Sequence, residues 1–295
     1  KRLVLSVNQP ELVLYHAKWS LCSQMVRVAL HEKGFKYQHK VIKLCDHYDD
    51  ADNLSKEFLS VINPTGVVPV LNINGEFVRD SAYIIERLDE FEGPNQINLW
   101  PKEPNKRQEF RKWVYDTTID ENVKLGKSFG TTIPLFSTGL IELLVKRLKL
   151  KSMLNIIIRH PRKERKIAFV AMYFLSIKNR IGPIAYEAFV NGLIEIDKNL
   201  DAKDYLFKDF THADINLMCC FHRLEEIGLG PVLEMDNFKN ISSYWERLKN
   251  RKSYQEGILN FTDHKEILRE AFPKNFNPHL DKLKNLIEGK ILINQ

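Results

Sequence analysis

The sequence is poor in the features that define several specialised protein classes. Four cysteines in 295 residues are too few for a disulfide framework, and the adjacent Cys219 and Cys220 cannot readily bridge each other. A Cys-x-x-Cys pair with matching histidines, which would indicate a zinc site, is missing. The longest nearly apolar run, residues 167–177, is too short to span a bilayer as a helix. We therefore expect reduced thiols and a cytoplasmic protein with no metal site.

Acidic residues are nearly missing from one stretch of the chain. Between Lys146 and Arg180 there are eleven lysines and arginines and a single acid, Glu164, which gives this stretch a charge of +10. Because the whole chain carries +6, the remainder carries −4. This distribution does not require a nucleic-acid partner, and we expect none. It indicates instead a basic segment that faces something acidic.

The remaining composition, 44% apolar and 28% charged, is that of a soluble globular protein with room for two domains. Residues 1–93 are predicted to be an α/β domain with the order β-α-β-α-β-β-α. Residues 94–104 are predicted to be a linker, and residues 105–295 an all-helical domain. The predicted strands are Leu12–Tyr15, Tyr37–Lys43, Val67–Asn72 and Glu76–Arg79, and the predicted helices of this first domain are Ser23–Lys33, Asn53–Ile62 and Ser81–Phe91.

The first motif with chemical potential, Trp19-Ser20-Leu21-Cys22-Ser23, lies where the first strand meets the first helix. Free backbone N–H groups and the helix dipole stabilise an anion such as a thiolate at this position. The spacing resembles the Trp-Cys-x-x-Cys turn of glutaredoxins and thioredoxins, with Ser20 and Ser23 in the two cysteine positions. The resemblance implies a thioredoxin-like fold that relies on an external thiol.

A second motif is the proline that opens an apolar strand, Val68-Pro69-Val70. Pro69 cannot donate to the sheet, and its position predicts a cis bond after Val68. The Val68 N–H and C=O would then turn away from the sheet and could pair with an extended peptide ligand. The alternative interpretation is a strand that simply starts at an edge.

A third motif, Asp80-Ser81, opens the next helix. The Ser81 hydroxyl and N–H could face an anionic group at the helix N-terminus. The alternative is an ordinary N-cap without a ligand.

These three motifs, in this order and spacing, resemble the glutathione transferase superfamily, whose thioredoxin-like first domain is followed by an all-helical domain. The resemblance covers residues 11–260 and implies glutathione as cosubstrate. It assigns the activation of the glutathione thiol to Ser20. It also implies a glutathione-binding set of Lys56, Val68, Pro69, Asp80 and Ser81, with Val68 holding the cysteinyl backbone and the last two the γ-glutamyl end. Most members of the superfamily have Glu or Gln at the position of Asp80.

The string Phe210-Thr211-His212-Ala213-Asp214-Ile215 supports the second domain. Thr211 as N-cap and Asp214 three residues later predict a capping box, with Phe210 and Ile215 as its hydrophobic staple. The string also resembles the capping box of the core helix in the same superfamily.

The subfamily is less clear than the superfamily. The string Ser20-Leu21-Cys22-Ser23 is similar to that of zeta-class isomerases and of tetrachlorohydroquinone dehalogenases, in which the matching cysteine forms a mixed disulfide with glutathione. Strings near His222 and Tyr254 resemble the ganglioside-induced differentiation-associated protein family, and bacterial β-aryl etherases share an enlarged helical domain. We expect Ser20 to activate the thiol and Cys22 to point inward as a second candidate.

The basic insertion, residues 126–183, has three competing interpretations. It is a solvated basic helix that covers the domain, a surface for an anionic membrane or acidic partner through residues 146–180, or, least favoured, a nucleic-acid site. His160-Pro161-Arg162 is predicted to break its helical pattern.

The sequence thus predicts a glutathione S-transferase that uses the glutathione thiol to attack a hydrophobic electrophile. The electrophile site is predicted at Trp113, Tyr115 and Phe129, and the superfamily resemblance implies a homodimer with a role in detoxification. The alternative is a non-catalytic protein of the same fold that binds or scaffolds at a membrane surface or with a partner.

Overall fold

The computed structural model describes residues 9–101, 104–119 and 123–294. Part of the predicted linker, residues 102–103, and the first eight residues lie outside this range. The N-terminal part is a four-stranded sheet with helices, and the described chain after Pro104 is helical, so the predicted fold class of a thioredoxin-like domain followed by a helical domain is confirmed.

The sheet has the strand order β2-β1-β3-β4. Strands β1 and β2 are parallel, whereas β3 runs antiparallel to both β1 and β4. The strands are β1 Leu12–His16, β2 Gln38–Val41, β3 Val70–Ile73 and β4 Glu76–Arg79. Asn74 and Gly75 join β3 to β4 with φ of 52° and 95°, as the predicted tight hairpin turn requires.

Two helices belong to the first domain, α1 Leu21–Lys33 and α2 Ser81–Leu88. Helix α1 ends at Gly34, whose φ of 74° allows the left-handed C-cap predicted for it. The helices of the second part are α3 Arg107–Thr117, α4 Phe129–Phe136, α5 Thr138–Lys146, α6 Leu150–Arg159, α7 Lys163–Leu175, α8 Lys178–Ile181, α9 Tyr186–Asn199, α10 His212–Glu226, α11 Lys239–Lys249, α12 Lys252–Gly257, α13 Lys265–Ala271 and α14 Leu280–Asn294.

The helix predicted over Asn53–Ile62 is wrong in detail. The chain instead forms a 3-10 turn at Asp52–Leu54 and a π-helical turn at Phe58–Ile62. The buried Asn53 side chain explains the interruption, because it accepts from the Cys45 N–H at 2.9 Å and donates to the Gly66 carbonyl at 2.8 Å. An amide used in this way ties the segment to two loops and prevents a continuous helix.

Most apolar side chains join one core that is shared by the sheet, α1 and the second-domain helices α3, α4, α9 and α10. Helix α10 begins with the predicted capping box, since the buried Asp214 carboxylate accepts from the Thr211 N–H at 2.8 Å and its hydroxyl at 2.7 Å. A second, smaller cluster joins α5, α6 and α7 to Cys45 and Leu54 of the first domain. Within the described ranges, no helix has both the length and the apolar character to cross a membrane.

Candidate active site

The sheet register brings the three sequence motifs to one edge. Tyr15 of β1 lies opposite Val70 of β3, and Val70 lies opposite Arg79 of β4. The turn that carries Ser20 follows β1, Val68 precedes β3, and Ser81 follows β4, so all three lie just beyond the same end of the three strands. The N-termini of α1 and α2 also meet there, and their partial positive charges favour an anionic ligand.

Ser20 is the N-cap of α1. Its backbone is extended, and its hydroxyl oxygen accepts from the Ser23 N–H at 3.3 Å. Because a hydroxyl can accept and donate at the same time, the Ser20 proton is available for a second partner. Ser23, in the other ancestral cysteine position, is fully buried and accepts from the Ala17 N–H at 3.4 Å.

The bond between Val68 and Pro69 is cis, as the sequence predicted. Strand β3 begins at Val70 rather than at the predicted Val67, because Pro69 has no N–H and the bend at Val68 leaves the ladder. Val68 makes no backbone hydrogen bond within the described part of the chain. Its half-buried N–H and C=O therefore remain for an extended ligand.

Asp80, not Ser81, is the N-cap of α2. The Asp80 backbone has φ of 70°, and its carboxylate accepts from the Tyr83 N–H at 3.0 Å. The motif therefore contains an ordinary N-cap at Asp80, and Ser81 is the buried first residue of the helix; the ligand role of the motif stays a prediction. The exposed Asp80 and the Ser81 backbone flank the N-terminus of α2 together.

Two buried arginines hold the turn that leads to Ser20. Arg27 donates to the Lys18 carbonyl at 2.9 Å, to the Ala17 carbonyl at 3.4 Å and to the Gly257 carbonyl of α12 at 2.7 Å. Arg223 of α10 donates to the Trp19 carbonyl. Three consecutive carbonyls before Ser20 are thus fixed by side chains of α1 and α10, which makes the turn part of the contact between the two domains.

The Trp19 side chain is held from three sides. Its ring lies 4.4 Å from the His264 ring and 4.5 Å from the His47 ring, and its indole N–H donates to Asp263 at 2.6 Å. Lys18 pairs with the other oxygen of Asp263 at 2.5 Å. His47, from the loop after β2, and Asp263 and His264, from the segment between α12 and α13, therefore cover the Trp19 side chain.

A buried carboxylate lies behind this ring. Glu226 lies 2.9 Å from His264, 3.2 Å from His222 and 3.1 Å from the Arg223 guanidinium. Burial alone would raise the pKa of the Glu226 carboxyl, but Arg223, His222 and His264 hold that pKa well below its usual range. This cluster was not predicted from the sequence, although the i, i+3 and i, i+4 spacing of residues 222, 223 and 226 was a signal for it.

The cysteines behave largely as expected. Cys219, Cys220 and Cys45 are buried, and none of the four forms a disulfide. Burial raises the pKa of Cys219, and the neighbouring Cys220 and Cys22 thiols raise it further. Cys22 is half-buried, and its expected inward orientation stays a prediction.

The structure brings together two of the three residues predicted to line an electrophile site. Trp113 and Phe129 line a cavity of about 190 Å³ between α3, α4 and α9, whose described lining includes no residue of the first domain. Tyr115 is 43% exposed and does not line it. Lys56 is exposed beside the π-helical turn. The roles of these four residues stay predictions.

A larger cavity, about 1100 Å³, lies elsewhere, between the end of α1, strand β2 and helices α11 and α12. His39, Arg251 and Phe261 line it, whereas Ser20, Val68 and Ser81 do not. No group of three His, Cys, Asp or Glu side chains suited to a metal ion occurs among the residues the structure describes.

The insertion reaches the loop before Val68. A Cβ atom placed on Gly66, whose φ is 70°, would lie 3.3 Å from Pro161, the residue between α6 and α7. Asp49 of the first domain accepts from the Lys149 N–H at 2.9 Å and the Ser152 hydroxyl at 2.6 Å. The insertion therefore packs directly beside the candidate site, which the sequence did not predict.

Comparison with known proteins agrees with this arrangement. The family described as glutathione S-transferase, N-terminal domain, matches residues 14–96. A probable maleylacetoacetate isomerase of Caenorhabditis elegans is 36% identical over 99 residues, which are 34% of this chain and 42% of that protein. A zeta-class glutathione S-transferase of Euphorbia esula is 37% identical over 83 residues, 28% of this chain and 35% of its own length. The chain thus spans about two fifths of the curated relatives it matches.

Solved structures extend the likeness of fold to the helical part. A beta-etherase from Sphingobium sp. strain SYK-6 superposes with a TM-score of 0.70 at 20% identity, covering 83% of this chain and 98% of that one. A theta-class glutathione S-transferase from Xanthomonas axonopodis pv. citri, with glutathione bound, has a TM-score of 0.54 at 19% identity, covering 85% of this chain and 98% of that one.

Proposed function

Because the N-terminal domain of this chain belongs to the glutathione S-transferase superfamily, we propose that the protein is a glutathione-dependent enzyme that activates the glutathione thiol at Ser20. The observation that carries the proposal is the register that lines up Tyr15, Val70 and Arg79 and so gathers the three motifs at the N-termini of two helices.

We place glutathione along this sheet edge because its polar groups match those that the edge presents. The N–H and C=O of Val68 pair with the cysteinyl residue of the tripeptide as an added strand would. The γ-glutamyl carboxylate lies at the N-terminus of α2, beside the Ser81 N–H, and the ammonium group lies beside Asp80. The exposed Lys56 is left for the glycyl carboxylate.

The thiol then lies at the N-terminus of α1. The helix dipole lowers the free energy of the thiolate relative to the thiol, and the Ser20 hydroxyl donates a hydrogen bond to the sulfur. Ser20 can do so without losing its bond from Ser23, because that bond uses a lone pair and not the proton. The thiol proton passes to water, and the thiolate attacks an electrophilic carbon of the second substrate, where it either displaces a leaving group that departs with its electron pair or adds to a polarised double bond whose other end takes a proton from water.

Ser20 is favoured over Cys22 as the activating group. Cys22 lies two residues farther along α1, about 200° around the helix from Ser20, whereas Ser20 caps the helix at the sheet edge. The second substrate is proposed to be hydrophobic because Trp19, the residue before Ser20, has an aromatic ring that is only half-buried. Maleylacetoacetate isomerases among the relatives make an isomerisation assay a necessary companion to a conjugation assay.

The test begins with retention on immobilised glutathione and turnover of a model electrophile. Ser20→Ala should raise the pKa of bound glutathione, read from the ultraviolet absorbance of the thiolate, and slow conjugation about 10²-fold. Ser20→Thr, which keeps both hydroxyl and N-cap, serves as the matched control and should retain most activity. Loss of the cap costs Ser20→Ala about 1 kcal/mol of stability, so urea midpoints must be measured alongside.

The outcomes separate the alternatives. Retention without turnover in conjugation and isomerisation assays would support a non-catalytic binding protein instead. A Cys22→Ala variant that loses activity while Ser20→Ala keeps it, or a mixed disulfide of glutathione on Cys22, would move the chemistry to the cysteine.

A further inference from the structure

Helices α6 and α7 of the insertion form a helical hairpin that buries one face of each helix. Met153 and Ile156 of α6 and Phe169 and Met172 of α7 join the same small cluster, which rests on Cys45 and Leu54 of the first domain. Helices α6 and α7 are separated by His160-Pro161-Arg162, the predicted break. Because both helices pack on the same cluster, their opposite faces both point away from the body of the protein.

The outward side of α6 is apolar rather than polar. Its four exposed apolar side chains fall within about 100° of one another on a helix of about 100° per residue, and thus form one face. Ile158 among them is 76% exposed. These four are Leu150, Leu154, Ile157 and Ile158.

Helix α7 repeats the pattern. Ile167 is 71% exposed, and Phe174, seven residues later and therefore on the same face, is 60% exposed. Leu175 is exposed at the end of the helix. We call these three residues and the four of α6 the outer face. Seven large apolar side chains exposed on one helical hairpin mark a surface for another molecule.

Positive charge surrounds the outer face. Lys151 and Arg159 are exposed on α6, Lys163 opens α7, and Lys178 and Arg180 follow it. Helix α6 contains no acid, and the single acid of α7, Glu164, is paired with Arg162. The surface therefore combines apolar side chains with a cationic border.

We propose that the outer face docks on an anionic lipid membrane, with its apolar side chains in the boundary between headgroups and acyl chains. A second copy of this chain would bring the cationic border against an identical one, and a nucleic acid would leave the apolar side chains in water. An anionic bilayer satisfies both features. Helix α7, with 13 residues, is about 20 Å long and lies along such a surface, whose hydrocarbon core is about 30 Å thick.

This inference does not depend on glutathione chemistry. It is tested with the full chain and vesicles of phosphatidylcholine alone or mixed with phosphatidylserine. We expect sedimentation with the mixed vesicles and at least about tenfold weaker binding to phosphatidylcholine. Ile167→Ser combined with Phe174→Ser should weaken binding by about tenfold or more even at low salt, because it removes inserted apolar area. Lys163→Gln with Arg159→Gln should reduce the salt dependence of the affinity.

Matched controls lie on other helices. Leu292→Ser removes an equally exposed apolar side chain of α14, and Lys265→Gln with Lys282→Gln removes two exposed charges; neither change should alter binding. Phe174→Trp should show blue-shifted emission and quenching by brominated lipid, whereas Leu292→Trp should not.

Three results would overturn the proposal: no binding to either vesicle, full binding by the Ile167→Ser and Phe174→Ser variant, or a dimer in solution that this variant dissolves while no vesicle binding occurs.

Discussion

The contact between the first domain and α10, and the outer face of the insertion, depart from the usual distribution of side chains in opposite ways. The first buries charges: Arg27 is fully buried, and Arg223, Glu226 and His264 nearly so. The second exposes apolar side chains such as Ile158 and Ile167. The buried charges fix a backbone turn beside the candidate site, and the exposed apolar groups are left uncovered by the residues that the structure describes. The buried charges are explained by the backbone carbonyls that they hold, whereas the stability of the fold does not explain the exposed apolar groups.

The largest difference in stability between the two regions is expected when an arginine in each is replaced by methionine. Arg27→Met keeps the apolar stem but leaves the Lys18 and Gly257 carbonyls without donors, and should lower the free energy of unfolding by about 2–4 kcal/mol. Arg159→Met, on the exposed end of α6, should change it by less than about 0.5 kcal/mol. Urea denaturation of both variants measures the difference. Equal losses would contradict the assignment of Arg27 as a structural tie between the domains.

Acid should destabilise both regions through buried histidines. Burial, aided at His16 by the Arg27 charge, lowers the pKa of His16 and of His212 to about 3, and burial with the Arg165 charge lowers that of His160 to about 4. The folded state thus binds fewer protons than the unfolded chain, whose histidines have pKa values of about 6.5. Stability is fully present above pH 6.5 and is lost as pH falls toward these lower values.

The expected loss is about 1 kcal/mol per histidine between pH 7.5 and pH 5.5. Urea denaturation midpoints at pH 7.5 and pH 5.5 measure the summed loss of stability from the three histidines. Hydrogen exchange should show the insertion opening first on acidification, since His160 lies in it and its buried cluster is small. A midpoint that does not move between the two values would contradict the buried, neutral state of these histidines.

Substitution of Gly66 tests the contact between the insertion and the candidate site. Gly66→Ala adds a methyl group against Pro161 at a left-handed φ of 70°, and should cost about 1–2 kcal/mol and weaken glutathione binding through the nearby Val68. Gly75→Ala is the control, because its φ is 95° but no atom lies within 4 Å. It should lose stability through backbone strain alone. If both variants bind glutathione equally, the insertion does not shape the site.

The smallest expected effect is a gain in the free energy of unfolding. Neither ring nitrogen of the buried His212 has a hydrogen-bond partner within the described residues. His212→Leu should raise the free energy of unfolding by up to about 1 kcal/mol at pH 7.5 and flatten its fall at lower pH. His279→Leu is the contrast, because the His279 ring lies 2.9 Å from the Tyr186 hydroxyl and its removal should destabilise. Scanning calorimetry distinguishes a gain from a loss of this size.

Local signals in the sequence determined the first domain and the motifs it carries. Gly34, Asn74-Gly75 and Pro69 of the first domain, and the Thr211–Asp214 box of α10, each favour one local backbone geometry, and all four were predicted correctly. The interrupted segment after β2 escaped prediction because the partners of Asn53 are at Cys45 and Gly66, eight and thirteen positions away.

Tertiary structure decided what surrounds Ser20 and what the insertion presents. The arginines that hold residues 17–19 come from positions 27 and 223, and Glu226 meets His264 from another segment, so no local pattern contains these pairs. The helical pattern of the insertion did not show which apolar side chains of α6 would be covered. The cluster that includes Cys45 and Leu54 covers Met153 and Ile156 of α6 and leaves Ile158 exposed.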